Sequence, residues 1–400
     1  MKKDNKTSEK IYDIEEYRRK KKARTIRNRI ITGVVVVFLL AITYAGVYFY
    51  QNYDLQDLIE NAKDTTQVDD NTTLGENFPV SLSGIQPISL TSSGYDLILL
   101  TSDEEMFYNS GNAGHHFIHR FTNPVIKEVD GRVLTYDRGG YAYRIDSSSG
   151  LHLSDRTDNI ILTATISDKK SYAFVTKEQR YAGSVTVFSK SNEEILKWYS
   201  ASEQIADIAI SADERYLAVL CVGFENGNIC SKVYIIDLKR KTDSEKATLI
   251  YSNTVPVAID YKKNGQIHIV TDSSIVVVGK DFNTRQEIPY SNSLKKYCFS
   301  SNATYVLTSD VNSVSCSVLM TDGKINNTVT LNVDAIDVSH NGRNLYVLGR
   351  NQIKVLDKEL FLKGTLSVAN DVYGIEAIGN RIYLLASNAL DVMSANIPKI

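Results

Sequence analysis

A unit of about forty residues, recurring eight times, constrains this chain more than any other feature. Each unit holds a short run, a turn built from Asp, Asn, Ser or Gly, and then a strongly β-prone run. The instances are residues 89–100 (SLTSSGYDLILL), 127–136 (KEVDGRVLTY), 165–175 (TISDKKSYAFV) and 209–220 (AISADERYLAVL). They continue at 260–270 (DYKKNGQIHIV), 299–307 (FSSNATYVL), 337–348 (DVSHNGRNLYVL) and 376–385 (EAIGNRIYLL). Aligned on Tyr95, Val133, Tyr172, Tyr216, Ile267, Tyr305, Tyr346 and Tyr383, the spacing runs from 37 to 51 residues, with a mean of about 41.

A period near forty with only β signals inside it is the length of a four-stranded propeller blade. The fourth unit reads as four strands, IADIAI, RYLAVLCV, SKVYIIDL and ATLIYS, and the seventh as VDAIDV, NLYVLG, QIKVLD and FLKGTLSV. Asn226-Gly227, Asn264-Gly265, Asp322-Gly323 and Asn341-Gly342 supply the positive φ that tight hairpins need. The eighth unit shows three strands, and residues 77–82, ahead of the first unit, are the candidate fourth. Such pairing would close the ring and remove the open edges of a linear array. The expected fold is therefore an all-β propeller of about eight four-stranded blades over residues 78–400, seven being the alternative count.

Two of these turns, Ser211-Ala212-Asp213-Glu214 and Ser339-His340-Asn341-Gly342, loosely resemble the S-x-D-G turn that precedes the second strand of each blade in WD40-like and quinoprotein-like propellers. Most WD40 blades carry a Trp-Asp pair, whereas this chain has one tryptophan, Trp198. More of the chain is similar to an uncharacterised family of Firmicutes proteins with a basic tail, one membrane helix and a propeller-like outer domain. The matching segments are VLTYDRGGYAYRI (133–145), AISADERYLAVL (209–220) and EEILKWYSA (193–201). The resemblance implies topology and fold, not a reaction.

Residues 30–50 (IITGVVVVFLLAITYAGVYFY) contain no charge, and as a helix rising ~1.5 Å per residue they span ~31 Å, about the hydrocarbon thickness of a bilayer. Eight Lys/Arg residues between Arg18 and Arg29 precede them. The positive-inside rule places residues 1–29 in the cytoplasm and the remainder outside, with tyrosines gathered at the outer interface. The apolar run is longer than a signal-peptide core of roughly 7–15 residues and no good cleavage site follows, which favours an uncleaved anchor in a bacterial cell membrane. Residues 51–77 are polar and acidic and read as a stalk.

Charge divides at the same place. Residues 1–29 balance at +7 and the remainder at −9. An acidic outer portion argues against nucleic acid or a polyanionic surface as the main partner. Cys221, Cys230, Cys298 and Cys316 form no CxxC pair. Cys221 and Cys230 flank one hairpin turn, where a diagonal disulfide is one reading and two buried thiols the favoured one.

The motifs for chemistry are few. His115, His116 and His119 cluster, but on a strand the first and last stand ~13 Å apart, too far to share a metal. Tyr136-Asp137-Arg138-Gly139-Gly140 is the most distinctive local motif, a turn whose Arg138 is a candidate for meeting a carboxylate or phosphate. Trp198 is the other candidate contact residue, the bland account being packing between blades. No nucleophile elbow, Walker loop, zincin, EF-hand or dinucleotide motif is present, and no cofactor or metal is expected.

The expectation is a membrane-anchored, extracytoplasmic, non-catalytic binding or scaffold module for a protein or cell-envelope partner. An enzyme acting on wall polymers or through a quinone cofactor is the alternative, and would need carboxylates, histidines or a cation converging in the central channel. A sensor signalling through the basic tail is a third reading.

Overall fold

The computed structural model describes residues 78–395 except 110–111, 241–243 and 311–312. The expected membrane segment, its basic leader and the stalk lie outside the described residues. Among those described, no helix is long and apolar enough to cross a membrane.

Each repeat found in the sequence is the first hairpin of a blade. Eight four-stranded antiparallel sheets follow one another along the chain. Blades 1 to 7 occupy residues 87–118, 124–156, 161–200, 204–252, 256–289, 293–331 and 335–367. Blade 8 takes three strands, Val372–Ile378, Arg381–Ala386 and Ala389–Ser394, from the end of the chain and a fourth, Val80–Ser81, from the start of the described residues. Val80 pairs with Leu390 and Ser81 with Ala389, so the ring closes as the three-strand deficit suggested. The count is eight, not seven.

The second strands read as unbroken apolar runs because both faces of each blade are covered by neighbours. Asp96–Thr101 and Thr304–Ser309 are buried at every position. Alternate residues then belong to different interfaces. Leu345 and Val347 pack toward blade 6, and Tyr346 and Leu348 toward blade 8. The core accordingly divides into eight apolar clusters, one between each pair of adjacent blades. The smallest joins blades 1 and 2 through Ile98, Phe107 and Val133, with Glu105, Thr135 and Asp146 buried beside it.

The turns behave as their residues dictate. Gly131, Gly265 and Gly342 adopt φ of +74°, +83° and +80° in first hairpins. In blade 4 the Ser211 hydroxyl accepts the N–H of Tyr216 at 2.9 Å and donates to Asp213 at 2.6 Å, the internal bonding behind the S-x-D pattern.

The repeat alignment slips in four units. Tyr95 lies in a turn and is exposed, Tyr172 and Ile267 stand opposite the ends of their inner strands, and Tyr216 pairs only with the third strand. First-hairpin turns differ in length, so aligning on an aromatic residue does not preserve register.

Candidate functional site

The inner strands of an eight-bladed ring stand around a central channel, and here they bring charge together. Glu128, Asp260, Cys298, Ser339 and Glu376 all occupy one level, opposite Val133, His268, Tyr305, Tyr346 and Tyr383 of the second strands. Lys127 belongs to blade 2 and Asp207 to blade 4, yet Lys127 Nζ comes within 3.8 Å of Asp207 Oδ1. Blade 3 lies between them, so the ammonium reaches across the channel. Its pKa is raised, chiefly by Asp207 against the cost of enclosure, with Tyr136 and Tyr297 adding to the rise.

Most of these carboxylates fasten one blade to the next. Asp207 Oδ2 accepts the N–H of Ile259 in blade 5 at 3.2 Å, and Asp337 Oδ2 accepts that of Ile375 in blade 8 at 3.2 Å. Asp337 also receives Lys296 of blade 6 at 3.0 Å. Glu376 ties three blades, accepting the hydroxyls of Ser92 in blade 1 and of Ser339 in blade 7, while Ser339 in turn accepts the N–H of Ala377 at 3.0 Å. These are bonds that an inner strand, with no further strand on its channel side, needs to hold its radial position.

Two of the acids are held near neutrality. Glu128 is exposed to the channel, yet the loss of hydration there, and then the charges of Glu376, Asp130 and Asp260, push it up to about 8. Glu376 is pushed up to about 7 by burial, which outweighs its serine donors. Both groups bind protons in the folded chain that they release in the unfolded one, from their ordinary 4.5 upward. Stability from this source is complete below that value and is lost as pH rises through 7 to 8. Melting temperature should therefore fall between pH 5 and 9, and Glu128→Gln should flatten the decline. A calorimetric pH series with equal slopes for both proteins would contradict this assignment. Glu105, between blades 1 and 2, is likewise raised to about 8 by burial, but lies outside the channel and acts equally in both proteins.

The sequence candidates lie at one face, where the inner strands begin. Tyr136 is fully buried between blades 2 and 3, its hydroxyl 3.5 Å from Thr163 Oγ1. Asp137 Oδ1 accepts the N–H of Asn123 at 2.8 Å. Gly139 has φ +87°, whereas Gly140 is required for space: a Cβ there would meet the Asp137 carboxylate at 2.2 Å. The loop is bonded to blade 3 through Gly139 and Ile161, and it leaves Arg138 exposed. Trp198 packs against Tyr234 of blade 4, with ring centroids 5.2 Å apart, and is half-buried between the blades.

The exposed aromatics are its neighbours instead. Tyr199 and Tyr181 pair at 4.8 Å, with Lys197 Nζ 5.3 Å from the Tyr199 ring, and Arg156 covers Tyr141 at 5.8 Å. Phe224, on the long hairpin of blade 4, is 70% exposed on the same face. An alternation of half-buried Trp198 and exposed Tyr199 follows from the period of a strand, which was the available signal for it.

The histidines do not gather. His116 is exposed beside Glu104 at 3.2 Å, while buried His119 accepts the Phe121 N–H on Nδ1 and meets the Thr101 carbonyl through Nε2. Cys221 and Cys230 are buried and free. Among the described residues no three His, Cys, Asp or Glu side chains stand at metal-binding spacing.

A family described as one of unknown function, DUF5711, matches residues 89–394, from the inner strand of blade 1 to the last strand of blade 8. The chain belongs to that family. No curated protein matches it in sequence. The DUF5711 propeller is similar in structure to apo AztD from Citrobacter koseri, with a TM-score of 0.53 and 14% identity over 74% of this chain and 89% of that one. It is similar to BamB from Moraxella catarrhalis, with a TM-score of 0.50 and 10% identity over 76% and 92%. A chain of the mitotic checkpoint complex matches with a TM-score of 0.51 and 12% identity over 82% and 94%. At these identities the shared property is the propeller fold.

Proposed function

We propose that this DUF5711 protein is a non-catalytic binding platform, tethered outside a bacterial cell membrane by residues 30–50, whose partner is a protein. The observation that carries the reading is the rim of blades 2 to 4. Tyr141, the Tyr181–Tyr199 pair and Phe224 are exposed there beside Arg138, Arg156 and Lys197. Aromatic side chains with arginines around them form the cores of protein interfaces. The partner surface is correspondingly apolar with an acidic border. One of the matched propellers comes from a complex of proteins, which accords with this use of the fold. The channel carboxylates support the same reading, because Asp207, Asp337 and Glu376 are committed to fastening blades.

Crosslinking in intact cells followed by purification should recover one partner in amounts comparable to the bait. Tyr181→Ala with Tyr199→Ala, or Arg138→Glu, should reduce that recovery at least about tenfold, the loss expected of interface anchors. Thermal unfolding should stay unchanged, since these side chains are exposed. Undiminished recovery from both variants would sink the reading.

The enzymatic alternative rests on Glu128 and Glu376, two carboxyls that stay protonated near neutral pH and so have the ionisation of a general acid. It requires a wall polymer or quinone substrate to reach them. Glu128→Gln distinguishes the two, because it should leave partner recovery intact.

A further inference from the structure

On the opposite face, where the first and third hairpins turn, a cavity of about 320 Å³ opens between blades 2 and 3. Its charged lining is basic throughout: Arg132, His152, Lys170 and Lys190. Ser191 and Asn192 add small polar groups, and Ile145, Leu153 and Tyr172 form an apolar wall. In a domain whose charges nearly balance, at −3 over residues 78–400, this is a local excess of positive charge.

The basic groups come from four separate places. Arg132 opens the second strand of blade 2 and His152 lies on its fourth strand. Lys170 sits in the first hairpin of blade 3 at φ +77°, and its ammonium is held by the carbonyls of Val129 and Asp130 in blade 2. Lys190 to Asn192 form the third turn of blade 3, where Asn192 has φ +64°. The Tyr172 hydroxyl donates to Asn192 Oδ1, which fixes the amide so that Nδ2 is its donor side. The Asp146 carboxylate nearby is already engaged by Arg144. Burial lowers the His152 pKa, and Arg132 and Lys170 lower it further against the pull of Asp146, as a positive field would. His152 Nε2 lies 2.8 Å from Ser147 Oγ.

We infer that this cavity binds a small ligand bearing a phosphate group. A guanidinium, the Lys190 ammonium, a hydroxyl and an amide, with the charge of the already bonded Lys170 behind them, suit an oxyanion with several acceptor oxygens, as a phosphate has. The volume lies at the lower end of roughly 300–1,000 Å³, the range of small-molecule sites. The apolar wall leaves room for a short carbon body attached to the phosphate.

The test is calorimetric titration of the full-length protein, in detergent micelles, with inorganic phosphate, glycerol phosphate and acetate. Glycerol phosphate should bind saturably and more tightly than inorganic phosphate, and acetate should bind at least about tenfold more weakly, lacking the oxygens for all donors. Arg132→Gln and Lys190→Gln should each weaken glycerol phosphate about tenfold or more. Lys190 is exposed on a turn, so Lys190→Glu gives a variant whose folding is not at issue. Inorganic phosphate binding as tightly as glycerol phosphate would remove the organic ligand and overturn the inference as stated. Equal binding of acetate, no saturable binding, or binding untouched by the Lys190 variants would overturn it as well.

Discussion

Replacing Leu82 by alanine lowers the stability of the propeller by ~2–5 kcal/mol, the range for a large-to-small change in a packed core. The side chain is 1% exposed and sits in the cluster between blades 8 and 1, with Leu97, Leu99, Tyr383 and Leu385. Its N–H donates to the Asn388 carbonyl at 2.8 Å, which continues the short pairing of Val80 and Ser81. Phe78 adds ring contacts to Tyr108 at 5.9 Å and Tyr383 at 5.6 Å. At ~2.1 cal/mol/K of unfolding entropy per residue, a domain of this size loses ~1.5 °C of melting temperature per kcal/mol, so the expected fall is ~3–8 °C. Deleting residues 78–82 goes further, because it also uncovers the edge at Ala389 and Leu390, in the third strand of blade 8. An uncovered edge pairs with other chains. Scanning calorimetry and light scattering check both outcomes. A deletion variant that melts like the parent and stays monomeric would show that the ring does not depend on this closure.

The second large effect is expected at Lys262. This lysine is fully buried between blades 5 and 6. Its ammonium meets Asp260 at 2.8 Å and the carbonyls of Ser300 and Ala303 at 2.9 and 3.0 Å, and lies 4.5 Å from the centre of the Phe299 ring. Burial lowers its pKa, with Asp260 pulling the other way. Lys262→Met keeps the volume but leaves two carbonyls and a carboxylate without their donor. Breaking a buried pair costs ~3–5 kcal/mol, and the lower end is expected because Asp260 is partly wet. Urea unfolding measures the loss. The freed Asp260 charge adds to the repulsion on Glu128, so the fall of melting temperature with pH should also steepen. A change under 1 kcal/mol, well below the ~3 kcal/mol floor for such a break, would mean that water replaces the ammonium.

The fold was legible because its signals are local. A hairpin such as residues 337–348 carries its own turn at Asn341-Gly342 and its own β-prone arm. The missing strand of blade 8 could be inferred by counting, and Val80–Ser81 supplies it. Trp198 and the 136–140 loop stood out as local oddities, and both lie at the boundary between blades. Tyr199 stood out only as a neighbour of Trp198, and Tyr181 and Phe224 did not stand out, because exposure of an aromatic residue depends on which face its strand turns outward.

The sequence by itself determined the β class, the blade period and the charge asymmetry between the two ends of the chain, and offered residues 77–82 as the strand that would close the ring. Each follows from patterns within about ten residues or from sums over the chain. Only the tertiary structure decided which side chains meet: Lys127 with Asp207 across the channel, Glu376 with serines of two other blades, and Arg132 with Lys190 around one cavity. Such partners come from different blades, and their meeting is set by the radius and register of the closed ring. Neither quantity is written in any one repeat, because each repeat specifies its own hairpins and leaves its neighbours' side chains to the packing between blades.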